Sequence, residues 1–126
     1  MSLETPLSRV RGLGSAREGT GHFWWMRVTA VANVVLVLFL IAFMFRYVGE
    51  DYNSVRQALR NPIASVGLLL LVISGVWHMR LGMQTIIEDY VHSEGRRVLA
   101  LMLNTFFAAV IALSCAFAVL KLSFGA

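Results

Sequence analysis

Apolar and polar positions along the chain alternate in long blocks. Three apolar stretches, 28–45, 62–79 and 98–120, are separated by short polar connections. The second continues less cleanly as far as residue 87. At about 1.5 Å of rise per residue, each stretch forms a helix able to cross a hydrocarbon core of about 30 Å. The pattern predicts an all-α membrane protein with three transmembrane helices over about 24–47, 62–90 and 97–122.

The connections have their own signals. Residues 1–21 are polar and rich in Gly, Ser and Arg, a composition that cannot build a core. They are expected to be extended or loosely structured unless a partner holds them. His22, Phe23, Trp24 and Trp25 then cluster where indole rings favour the membrane interface, with Arg27 just inside and able to snorkel. The connection over 49–61 contains a helix-like stretch at 54–59 and ends in Asn61-Pro62, a helix start in which proline's missing donor costs nothing. The connection over 91–95 is short, so the second and third helices are antiparallel neighbours. No repeat divides residues 22–126, which read as one transmembrane anchor domain.

Composition agrees with the pattern. Of the 126 residues, 58% are hydrophobic and 14% charged, too little charge to cover a soluble domain. The first apolar run starts late and lacks a small-residue cleavage site, so it reads as a retained helix and not a signal peptide. Little chain is left for a soluble catalytic domain. Any enzymatic chemistry must be shared with other chains, in a heteromeric helix bundle.

The net charge of +4 calls for no nucleic acid, because the basic residues serve as topology signals. Arg9, Arg11, Arg17, Arg27, Arg96 and Arg97 fall on one side, against Arg46, Arg56, Arg60 and Lys121 on the other. Six against four favours a cytoplasmic N-terminus. Cys115, the single cysteine, lies in the third span, can form no disulfide within the chain and could not hold an iron–sulfur cluster.

Candidate chemistry concentrates in the second helix. Ionisable groups within a span are costly and rarely face lipid, which singles out His78 and Arg80. On an ideal helix, Leu71, Gly75, His78, Gly82, Thr85 and Asp89 share one broad face. Glycines on either side of an imidazole either pack helices together or leave clearance for a bulky flat group such as a porphyrin. His78 is accordingly either a neutral histidine hydrogen-bonded to another helix or a haem-iron ligand. No other histidine is deep, since His22 and His92 belong at the interface, so a bis-histidine site would need a second chain.

Arg80 lies about 200° round the helix from His78 and is expected to play a structural part. Arg27 is the better candidate for a haem propionate, through bidentate pairing, or else a positive-inside anchor. Asp89 and Tyr90 sit about 17 Å along the axis from His78. There a tyrosine hydroxyl could donate to a quinone carbonyl while the carboxylate orients it or relays protons, or the pair could simply anchor the helix. Asn33 and Asn104 are expected to hydrogen-bond between helices.

His78, Gly82, Gln84 and Asp89-Tyr90-Val91-His92, at these spacings, resemble the hydrophobic membrane-anchor D subunits of succinate dehydrogenase, respiratory Complex II. Residues 14–20, His22-Phe23-Trp24-Trp25 and Arg27-Val28-Thr29-Ala30 look like the approach to that family's first helix. The resemblance implies a multi-pass protein of the bacterial inner (cytoplasmic) membrane that docks a flavoprotein and an iron–sulfur subunit. It implies that His78 is one axial ligand of haem b, with the other from a companion C-type cytochrome b anchor subunit. Tyr90, with Asp89 beside it, would hydrogen-bond ubiquinone, Arg27 would lie near a haem propionate, and FAD and the iron–sulfur clusters would reside in partner subunits. Two alternatives stay open: the anchor of a fumarate reductase running the reverse reaction, and a non-redox membrane scaffold or small transporter.

Overall fold

In the computed structural model, which describes residues 5–12 and 19–125, all regular structure is helical. In chain order the helices are α1 (Pro6–Val10), α2 (Gly19–Tyr47), α3 (Tyr52–Leu59), α4 (Pro62–Tyr90) and α5 (Glu94–Ser123). Helices α2, α4 and α5 are each long and apolar enough to cross a membrane. The second span matches the expected 62–90. The other two begin earlier than expected, at Gly19 and Glu94: a helix continues past the hydrocarbon layer into polar residues where no proline stops it, here even across Gly21 and Gly95. Two expectations for the connections change with this: the link between α4 and α5 shrinks to 91–93, and part of the N-terminal segment, expected to be loose, forms the single turn α1. Residues 13–18, which carry Arg17 and most of the 14–20 motif, lie outside the described residues.

Helix α4 is the central element, packed against α2 on one side and α5 on the other. Three helices in a row leave wide outer faces. Among the described apolar side chains only Leu59, Ala64, Leu81, Ile87 and Ala108 are buried, whereas Phe45, Leu113 and Phe117 stand fully outward. In a membrane those outer faces are covered by lipid tails or by other helices.

The end of the bundle around α3 is tightly tied. Gly49, at φ +85, turns the chain out of α2 in a left-handed conformation that suits glycine. Asp51 caps α3 by accepting from the backbone N–H of Ser54 at 3.1 Å and from the Ser54 hydroxyl. Asn61 caps α4 by accepting from the Ile63 N–H at 2.9 Å, ahead of Pro62 in the first turn. The buried Ser65 hydroxyl donates to Leu59 O and lies 2.9 Å from the Ser123 hydroxyl, which joins α3, α4 and α5. Arg56 donates through a terminal nitrogen to Gly125 O, just beyond α5. Close approach of α2 and α4 occurs at Gly67, where an added Cβ would sit 2.7 Å from Phe39 Cε1.

Candidate functional site

His78 is half-buried on the α2-facing side of α4, and its Nδ1 lies 3.0 Å from Thr29 Oγ1. Thr29 is buried, and its hydroxyl also reaches back one turn to Trp25 O at 2.6 Å. The Ser74 hydroxyl donates to Thr29 O at 3.4 Å, a second polar tie at the same level. Two helical turns nearer the interface the arrangement recurs with the helices exchanged: His22 Nε2 of α2 lies 3.1 Å from Thr85 Oγ1 of α4, and Thr85 donates to Leu81 O at 3.2 Å. From 22 to 29 and from 78 to 85 are both seven residues, so the two pairs are successive rungs of one antiparallel seam.

The other ring nitrogen of His78, Nε2, has no hydrogen-bond partner among the described residues. Gly75 and Gly82, about one turn before and after it, have open space where a Cβ would stand. Neither glycine packs a helix of this chain, in contrast to Gly67. Thr29 and Ser74 also line an apolar groove of about 690 Å³ between α2 and α4, together with Trp25, Leu36, Ile73 and Trp77. The Trp25 and Trp77 rings stand 5.9 Å apart, tilted by 59°.

The other singled-out residues are dispersed. Arg80 turns away from His78 towards α5: its Nε donates to Thr105 Oγ1 at 3.4 Å, and its Cζ lies 5.8 Å from the Trp77 ring centre. Its backbone carbonyl accepts from the buried Asn104 at 3.0 Å, the interhelical bond expected of that asparagine. Asn33 differs, since its buried Oδ1 has no partner. Arg27 lies about 200° round α2 from Thr29 and stacks its guanidinium 4.7 Å over Phe23. The structure therefore does not bring Arg27 to His78. Asp89 and Tyr90 form the exposed C-terminal end of α4, with Tyr90 77% exposed. Nearby, Gln84 donates to Glu88 at 2.8 Å, and Arg97 donates to Val91 O at 3.0 Å across the link.

Thr85 is expected on the His78 face and Thr29 within the first-helix motif, but residue type gives neither a partner and does not single out Ser74. The signal available was register: seven-residue spacing of Thr and His on two neighbouring antiparallel spans. No group of three or more His, Cys, Asp or Glu side chains clusters among the described residues, so the chemistry of His78 rests on a single donor.

Spans of this length, with short links and outward apolar faces, define a multi-pass, all-helical integral membrane protein. The chain belongs to the succinate dehydrogenase/fumarate reductase transmembrane subunit family, whose model matches residues 1–113. It is 36% identical over 83 residues to the succinate dehydrogenase hydrophobic membrane anchor subunit of Rickettsia bellii, 66% of each chain. With the subunit of the same name from Paracoccus denitrificans it shares 31% identity over 122 residues, 97% of this chain and 94% of that one. The succinate dehydrogenase membrane anchor subunit of Reclinomonas americana is 31% identical over 90 residues, 69% of this chain and 75% of that one. No solved structure matches the chain. With three spans and bacterial relatives named as membrane anchors, the protein is a multi-pass protein of the inner membrane.

Proposed function

We propose that this chain is the membrane anchor of a succinate:quinone oxidoreductase, docking a flavoprotein and an iron–sulfur subunit at the side of the membrane where α2 begins and α4 ends. That side is the cytoplasmic one by the distribution of arginines. Succinate is oxidised in the partner subunits, and this chain contributes to the reduction of ubiquinone in aerobic respiration and the tricarboxylic acid cycle. The names of the relatives favour succinate oxidation over the reverse reaction and over a non-redox scaffold.

His78 is the residue that would bind the iron of haem b, sharing it with a ligand from a companion cytochrome b anchor subunit. The observation that carries this reading is the unengaged Nε2 of His78 beside the clearances at Gly75 and Gly82. When bound, the haem would supply a one-electron store within the membrane. This chain's part is to hold one imidazole at a fixed depth and to keep a flat space beside it. Arg27 is proposed for a propionate, which requires its guanidinium to leave Phe23 and swing round α2.

At the end of α4, the exposed Tyr90 hydroxyl donates a hydrogen bond to a quinone carbonyl, and Asp89 orients that hydroxyl or passes protons from the aqueous side. Both side chains face outward, so the remaining walls come from the iron–sulfur subunit and the companion anchor. The test is His78→Ala in the assembled complex, purified in mild detergent. The b-type optical spectrum should be lost while the four subunits still copurify; an unchanged spectrum would overturn the ligand assignment.

A further inference from the structure

We propose that Thr29 is a positioning residue for His78: its hydroxyl fixes the Nδ1–H tautomer of the imidazole and so leaves the Nε2 lone pair as the outward donor. The inference rests on the ligand reading of His78 and deepens it.

The argument follows one proton. The Thr29 hydroxyl has a single hydrogen, and of the acceptors around it Trp25 O is nearest, at 2.6 Å, against 3.3 Å for Met26 O. Back-bonding of this kind, to the carbonyl four residues earlier, is an ordinary use of a helical threonine. With its hydrogen so placed, the oxygen can meet His78 Nδ1 at 3.0 Å only as an acceptor, and the imidazole nitrogen must carry the proton. Neutral imidazole has one N–H, so Nε2 is then unprotonated. The opposite assignment would leave an Nε2–H without an acceptor among the described residues, in a span where an unmet donor is expensive.

A second contact obeys the same rule. Thr85 donates to Leu81 O, four residues earlier, and is left to accept from His22. There the nitrogen in contact is Nε2, so the interfacial histidine presents Nδ1 as its free atom and the deep one presents Nε2. The identical threonine device thus produces opposite tautomers at two depths. At the deep rung, burial of Thr29 and the tie from Ser74 to its carbonyl hold α2 and α4 in the register on which the contact depends.

An N–H donated from the far side of a ligating imidazole orients the ring and strengthens the nitrogen that faces the metal. A stronger donor favours the ferric over the ferrous state. Removing the acceptor should therefore raise the midpoint potential of the haem and loosen it.

The experiment compares Thr29→Val, nearly the same shape without the hydroxyl, with Thr29→Ser, which keeps it, both in the assembled complex. Optical redox titration reads the potential, and transfer to excess apoglobin reads haem retention. For the valine variant the expected result is a ferric preference lower by about tenfold, a rise of about 59 mV for a one-electron couple. Haem retention should fall about 10-fold or more, and the serine variant should match the parent on both readouts. A parental potential and parental retention in Thr29→Val would overturn the proposal; with His78→Ala still stripping the haem, the ligand reading itself would stand. A haem that survives His78→Ala brings down both. Should the valine variant not assemble, Thr29→Ala takes its place. Failure of both to assemble, with serine intact, would assign the hydroxyl to joining α2 to α4 and overturn its role in setting the tautomer.

Discussion

At the α3 end of the bundle the chain matches its own polar groups. Towards the opposite end it matches some, such as His22 with Thr85 and Gln84 with Glu88, and leaves others facing outward. Around α3, Asp51 and Asn61 cap helices, Ser65 joins the chain on either side of it, and Arg56 reaches the carbonyl beyond α5, though its own Nε stays unpaired. From the middle of α4 to its C-terminal end, Nε2 of His78 has no partner among the described residues, Gly75 and Gly82 adjoin open space, and Asp89 and Tyr90 are exposed. The difference shows which half carries the chain's own stability and which half is left for other molecules to complete. Packing at the closed end can be complete in the single chain. At the open end, the groups left unmatched are the ones proposed to meet haem, quinone and partner subunits.

The comparison can be broken most forcefully at Tyr90. Tyr90→Phe removes only a hydroxyl from an exposed ring, so subunit assembly and succinate oxidation with an artificial acceptor should persist. Ubiquinone reduction should fall about tenfold, the rate equivalent of one hydrogen bond lost in the transition state. Parental quinone kinetics would remove Tyr90 from the site.

Glycine substitutions sharpen the contrast between the halves. Gly67→Ala drives a methyl group into the Phe39 ring and should destabilise the chain by about 1–3 kcal/mol in mixed-micelle unfolding. Gly75→Ala meets nothing within the chain and should leave unfolding unchanged or improve it by about 1 kcal/mol, the helix-propensity gain. The same Gly75→Ala should lower haem content in the assembled complex. Equal haem content in parent and variant would show that the clearance has another purpose.

The smallest effect concerns acid. Hydrogen bonds from the Ser54 side chain, and then its backbone N–H, hold the Asp51 carboxyl below its ordinary value of 3.8. A depressed carboxylate contributes stability that is present above the ordinary value and lost as pH falls through the depressed one. Amide exchange at Ser54 should quicken below about pH 4, whereas Asp51→Asn, which keeps an acceptor without the titration, should remove that acid response. An identical acid response in both would place the sensitivity elsewhere.

How much of this was legible beforehand depended on range. The α4 boundaries followed from local signals, because Asn61-Pro62 starts the helix and apolar character runs out at Asp89-Tyr90. The starts of α2 and α5 did not, since hydropathy marks the hydrocarbon layer and a helix can outlast it. His78 and Tyr90 could be singled out as candidates from residue type and depth on one helix. Spacing left Gly75 and Gly82 open between packing and clearance, and the open space beside them favours clearance. The Thr29–His78 contact was not legible, because it spans 49 positions and depends on how two antiparallel helices slide against each other. Arg27 is the reverse case: its type and depth suit a propionate, but helical phase turns it away from Thr29, so the proposed pairing depends on a side-chain swing that residue type cannot show.

The order in which the spans are made gives the seam a further meaning. Both rungs, Thr29 with His78 and His22 with Thr85, join α2 to α4 and use nothing from α5. They can therefore form once residue 90 has entered the bilayer, while the last span is still being synthesised at about 5–20 residues per second. The growing chain would then present its deep imidazole, already oriented, before its own third helix packs against the other side of α4. On the proposed reading of His78, this chain's half of the haem site is then complete on a nascent chain.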